Sequence, residues 1–79
     1  MTDFNIDTLN NLPCFIQGKI FAINCTGTIR RRLLDLGFVP GSFITPILTS
    51  PSGDPRAFEI RGTLIAIRKE DAKLISITF

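Results

Sequence analysis

Residues 28–41, T-I-R-R-R-L-L-D-L-G-F-V-P-G, constrain the fold more than any other stretch. They admit one short helix, a hard stop and a tight turn, in that order. Ile29, Leu33 and Leu36 stand at i, i+4 and i+7, so a helix puts them on one face. Thr28 suits the N-cap, where its hydroxyl accepts from a free backbone N–H one turn on. Gly37 follows the last apolar position, where a left-handed residue ends a helix, and Phe38 is placed to close onto Leu33. Pro40-Gly41 fits the centre of a type II turn, proline presetting φ and glycine taking the positive value.

The charges of this helix run against its dipole. Arg30, Arg31 and Arg32 fall in the expected first turn and Asp35 in the last. Each reversal costs about 0.3–1 kcal/mol when exposed, and an Arg31–Asp35 pair recovers only a few tenths. The arginines are therefore not explained by helix stability. They read as a solvated basic face or as a surface that meets a partner.

The rest of the chain reads as short strands. Residues 1–14 are polar and irregular, with one helical turn around Leu9, Leu12 and Pro13. Residues 17–24 set Ile20 and Ala22 against Phe21 and Ile23, a strand with both faces partly covered. Residues 42–49 form a second strand, in which Pro46 marks an edge or a bulge. A loop at 50–55 follows, where Asp54 is expected to bond its own loop. Residues 56–61 alternate, with Phe58 and Ile60 inward, and Gly62-Thr63 turns the chain into a strand at 64–68. Residues 69–72 make a helical turn, with Arg68 either paired to an acid there or exposed. Residues 73–79 put Ile75, Ile77 and Phe79 on one face. Five strands and one helix between the first two predict a mostly β single domain, residues 1–79, closed as a small barrel. From pattern alone, SH3-like and OB-like barrels fit equally.

Several chemistries are disfavoured. The chain has no histidine and two cysteines, without C-x-x-C spacing, so the usual metal ligands and general bases are scarce. No catalytic residue, metal site or cofactor is expected, and no phosphate-binding glycine loop is present. Cys14 and Cys25 read as reduced, buried, small apolar residues of a cytoplasmic protein. No apolar run approaches the ~20 residues that span a bilayer. A net charge of +2 is too small to argue nucleic-acid binding. With no Trp and no Tyr, a proline-motif groove is equally poorly supplied.

Residues 28–41 resemble the FeoA family, the small cytoplasmic component of bacterial ferrous iron uptake. The resemblance extends from Leu9 and Leu12, through Gly18 and Ile20, to S-P-S-G-D-P at 50–55 and I-R-G-T-L-I-A-I-R-K-E-D-A at 60–72. It covers residues 9–77. It implies an SH3-like barrel and a non-catalytic role: binding, and regulating, the FeoB-like membrane permease with its cytoplasmic GTP-binding domain. The domain would meet the membrane only through that partner. The expected contact surface is Arg30, Arg31 and Asp35 on the helix with Phe38, Pro40 and Gly41 at its exit. An arginine finger, which stabilises charge on a transferring phosphoryl group, is one chemistry such a cluster can supply. A weak homo-oligomer through a free strand edge is a further expectation.

Two rivals share the barrel. The C-terminal domain of DtxR-type metal-dependent repressors follows a DNA-binding helical domain, which a chain starting at Met1 is expected to lack. A ribosomal-type nucleic-acid-binding barrel wants a larger basic excess and exposed stacking aromatics.

Overall fold

The computed structural model describes residues 5–79. The part of the irregular leader at residues 1–4 lies outside them. Six strands appear: β1 (Ile6–Thr8), β2 (Gly18–Ile23), β3 (Phe43–Thr49), β4 (Arg56–Ile60), β5 (Thr63–Ile67) and β6 (Ile75–Thr78). Helix α1 (Gly27–Asp35) joins β2 to β3, and the helical turn α2 (Lys69–Ala72) joins β5 to β6. All neighbours are antiparallel, in the order β1-β6-β2-β3-β4-β5. The core gathers Leu9, Leu12, Ile20, Leu33, Phe38, Ile44, Phe58, Ile75 and Ile77 from nearly every element.

The expected five strands lack β1. Its register, Ile6↔Thr78 to Thr8↔Ser76, joins the two ends of the chain. No local periodicity announces a three-residue strand whose partner is so remote, and so α1 follows the second strand, not the first. On β2 the ladder with β6 slips between Ile20 and Ala22. The bulge puts Ile20 and Ile23 inward, leaves Phe21 exposed and Ala22 half-buried, where partial cover of both faces was expected. Pro46 sits at a bulge, as one of its two readings required, but β3 is an interior strand. Pairing with β2 stops at Ile44, and beyond it the Pro46 carbonyl accepts the Phe15 N–H at 2.7 Å.

The hairpin turns one residue earlier than the sequence suggests. Ile60 pairs with Thr63, and Arg61 and Gly62 both have positive φ, 52° and 80°. This is the type I′ geometry that matches strand twist. Arg61 holds a left-handed backbone at a cost of roughly 1–3 kcal/mol. Phe79 falls outside β6 and is partly exposed, unlike the inward Ile75 and Ile77.

Asp54 does not serve its own loop through its side chain. Its carboxylate accepts the Lys69 N–H at 2.8 Å, satisfying the first free donor of α2. Asp54→Ala is expected to cost about 1 kcal/mol, as a lost N-cap does, read as a lower denaturation midpoint at unchanged slope. Arg68 pairs with Glu70 at 3.6 Å across two highly exposed side chains, so little stability attaches to it.

Candidate functional site: the α1 face and its exit turn

Helix α1 starts at Gly27, not after a Thr28 cap, and no side chain bonds at its N-cap, Thr26. Arg30 thus closes the first turn, Arg31 stands at mid-helix, and Arg32 lies in the last turn, where the dipole favours it. The charge reversal is milder than the sequence implies. The stop is as expected. Phe38 N–H donates to the Leu33 carbonyl and Gly37 N–H to the Leu34 carbonyl, both at 3.0 Å, with Gly37 at φ +105°. These two bonds define the Schellman motif. The type II turn follows at once: Ser42 N–H donates to the Val39 carbonyl at 3.0 Å, and Gly41 has φ +95°.

The burial of α1 differs from the three-residue apolar face expected. Leu33 alone is buried, while Ile29 and Leu36 are each 41% exposed. A nine-residue helix laid over a small sheet touches the core at its middle and overhangs at both ends. The overhang leaves two apolar side chains open to solvent, Leu36 beside Arg31 and Arg32.

The arginines divide their work. Arg30 is half-buried and donates back to the Ile23 carbonyl at 3.4 Å. Arg32 reaches Asp71 of α2 at 3.3 Å. Arg31 is exposed, and the expected Arg31–Asp35 pair is not among the ion pairs of the described residues. Two open clefts flank the helix. One, of about 640 Å³, is lined by Gly27, Thr28, Arg30, Arg31, Leu34 and Asp35. The other, of about 340 Å³, is lined by Thr28, Arg31, Arg32, Asp35 and Leu36. Thr28, Arg31 and Asp35 line both and form the ridge between them.

Arg30, Arg31 and Asp35 are therefore brought together. Phe38 is corrected to a core residue: its side chain is wholly buried and cannot touch a partner. Pro40 and Gly41 are exposed but line a separate cleft of about 420 Å³, with Val39, Ser42, Phe43 and Arg61. Phe43 and Arg61 were missed as surface residues. The early hairpin turn is what carries Arg61 out of the strand, and its Arg-Gly step was the available signal.

Cys14 and Cys25 are free and half-buried, not fully buried as expected. The Cys14 sulfur lies 3.6 Å from the Thr49 hydroxyl and 3.3 Å from an Arg56 guanidinium nitrogen. These two contacts, Thr49 first, hold the thiol below its ordinary pKa by favouring the thiolate. Alkylation of Cys14 followed against pH should show a midpoint below that of an ordinary thiol, and Arg56→Met should raise it.

Among the described residues no three His, Cys, Asp or Glu side chains cluster to hold a metal. Among the same residues no helix is long and apolar enough to cross a membrane. The six-stranded antiparallel sheet leaves β1 and β5 unpaired with each other, where closure was expected, and carries a lightly anchored basic helix with open, shallow clefts; in class it is a small, mostly β domain. The comparisons identify its family. Residues 8–78 match the model of the FeoA domain, and the chain belongs to the FeoA family. It is 34% identical over 69 residues to an Fe(2+) transport protein A/Fe(2+) transporter FeoB fusion protein from Porphyromonas gingivalis, covering 87% of this chain and 8% of that one. The solution structure of iron(II) transport protein A from Clostridium thermocellum superposes with TM-score 0.86 at 31% identity, over 89% of this chain and 43% of that one. Zinc-complexed FeoA from Stenotrophomonas maltophilia, described as a prokaryotic SH3 domain protein, superposes with TM-score 0.79 at 28% identity, over 89% and 87%. The SH3-like expectation thus holds. A manganese-dependent transcriptional repressor shares the fold alone, with TM-score 0.83 at 12% identity, over 96% of this chain and 42% of that one.

Proposed function

We propose that this domain is a non-catalytic accessory component of ferrous iron transport that binds a FeoB-like permease and regulates it from the cytoplasmic side. The observation that carries the contact surface is the overhang of α1. One buried leucine anchors the helix, while Leu36 shares an open cleft with Arg31 and Arg32 and Ile29 stays exposed on the same side as Leu36. Apolar contact supplies area and the arginine supplies orientation toward an acidic surface. Pro40 and Gly41, in the separate cleft beyond the helix exit, are the second part of the proposed surface. The fusion of a related chain to FeoB supports the choice of partner.

The direct test mixes the purified domain with the cytoplasmic part of the FeoB-like permease, loaded with a GTP analogue or with GDP, and follows GTP hydrolysis in parallel. Binding that depends on the nucleotide, with a changed hydrolysis rate, is the expected result. Binding without any rate change would reduce the role to assembly. No binding in either state would remove the cytoplasmic part of the permease as the partner surface.

A further inference from the structure

We propose that the outer edge of β5 pairs antiparallel with the same edge of a second copy of this chain, joining two sheets into one. This surface is separate from the α1 face, and none of the residues lining the α1 clefts belongs to it.

The hairpin register decides which groups are free. Ile60↔Thr63 closes the two-residue loop, so it and the alternate pairs Phe58↔Ile65 and Arg56↔Ile67 exchange the ladder bonds. Leu64 and Ala66 therefore turn their N–H and C=O groups away from β4. Among the described residues, no backbone group from elsewhere bonds to them. Edge strands are ordinarily protected by a lysine, a proline, a bulge or a covering element. β5, T-L-I-A-I, carries no charge and no proline, its ladder has no register shift, and it ends the sheet. Leu64 is 61% exposed. The opposite edge, β1, is only three residues long and carries Asp7.

The edge is complementary to itself. A two-fold axis through Ile65 sets Leu64 of one copy opposite Ala66 of the other. Each of these two pairs exchanges two N–H···O=C bonds, about four in all. The register also aligns Leu48, Ala57 and Ala66 in a row on the outward face, which then continues into Leu64 of the second copy. At each end Arg61 and Glu59 of one copy approach Arg68, Lys69 and Glu70 of the other, three cations with two carboxylates, so each end keeps one excess positive charge and the pairing strengthens with salt. One short edge buries far less than the ~1,600 Å² of a standard interface, so the dimer belongs to the weak class.

The test is sedimentation equilibrium of the full chain from micromolar to millimolar concentration, with hydrogen exchange of the Leu64 and Ala66 amides over the same range. The expected result is a dimer at high concentration, together with slowed exchange at those two amides. Leu64→Lys and Ala66→Lys, both at exposed positions, should weaken it about tenfold or more by placing a charge on the edge. Phe21→Lys, on the exposed side of β2, should leave it unchanged. A monomer at millimolar concentration overturns the proposal. So does a dimer in which the two amides exchange as fast as in dilute solution, a reading that needs no variant to fold.

Discussion

Phe38→Ala is expected to destabilise the domain by about 3–5 kcal/mol, the usual cost of deleting a buried phenylalanine ring. The whole chain of 79 residues has roughly 4–12 kcal/mol to lose, at the general 0.05–0.15 kcal/mol per residue. For a domain of this size the melting temperature should fall by roughly 12–40 °C, at about 4–8 °C for each kcal/mol. The ring is wholly buried, and its backbone N–H closes the α1 stop on Leu33. The substitution keeps that backbone bond and removes the buried ring beneath the end of the helix that presents the proposed contact surface. A thermal melt of the variant checks it, with partner binding measured well below the new midpoint. Binding that survives in the folded fraction is the expected companion result. A melt shifted by less than about 5 °C, with binding lost, would return Phe38 to the contact surface.

The contrast between the helix stop and β1 shows what a sequence of this kind makes legible. The Schellman bonds and the type II turn use residues no more than five apart, and each needs one glycine or proline at one place. Their chemistry is local, so the backbone course of residues 33–42 read correctly. The register of β1 depends on β6 at the other end of the chain, and a bulge on β2 changes which faces are inward. Neither leaves a periodic trace. The helix face fails in an intermediate way. Spacing rightly groups Ile29, Leu33 and Leu36, but how much of that stripe is covered depends on how far a short helix extends over the sheet. The same overhang that defeats the core assignment supplies the apolar part of the candidate site. Arg30, Arg31 and Asp35 were legible as a group because they share one helix. The separate Pro40–Arg61 cleft was not, because it is formed by a turn and a hairpin distant in sequence.

Arg30→Glu with Arg31→Glu should separate the site from the fold. The structure gives the pair little to do for stability: Arg30 makes one long bond to the Ile23 carbonyl, and Arg31 is exposed. Arginine and glutamate have similar helix propensities, and the new acid at position 31 would stand one turn from Asp35 at a cost of a few tenths of a kcal/mol. The melting temperature should therefore move by no more than about 4 °C. Affinity for the FeoB-like partner should fall about tenfold or more, chiefly through a slower association rate and a reversed salt dependence, because the surface that steers an acidic partner has changed sign. Arg30→Gln with Arg31→Gln removes the attraction without adding repulsion and should fall between the wild type and the reversal. Ile29→Ala with Leu36→Ala should instead act on the dissociation rate, with little salt dependence, since it removes contact area and leaves the charges in place. Affinity unchanged by the arginine reversal, with the melt unchanged as well, would take the contact surface off α1 and move attention to the cleft of Pro40, Gly41, Phe43 and Arg61.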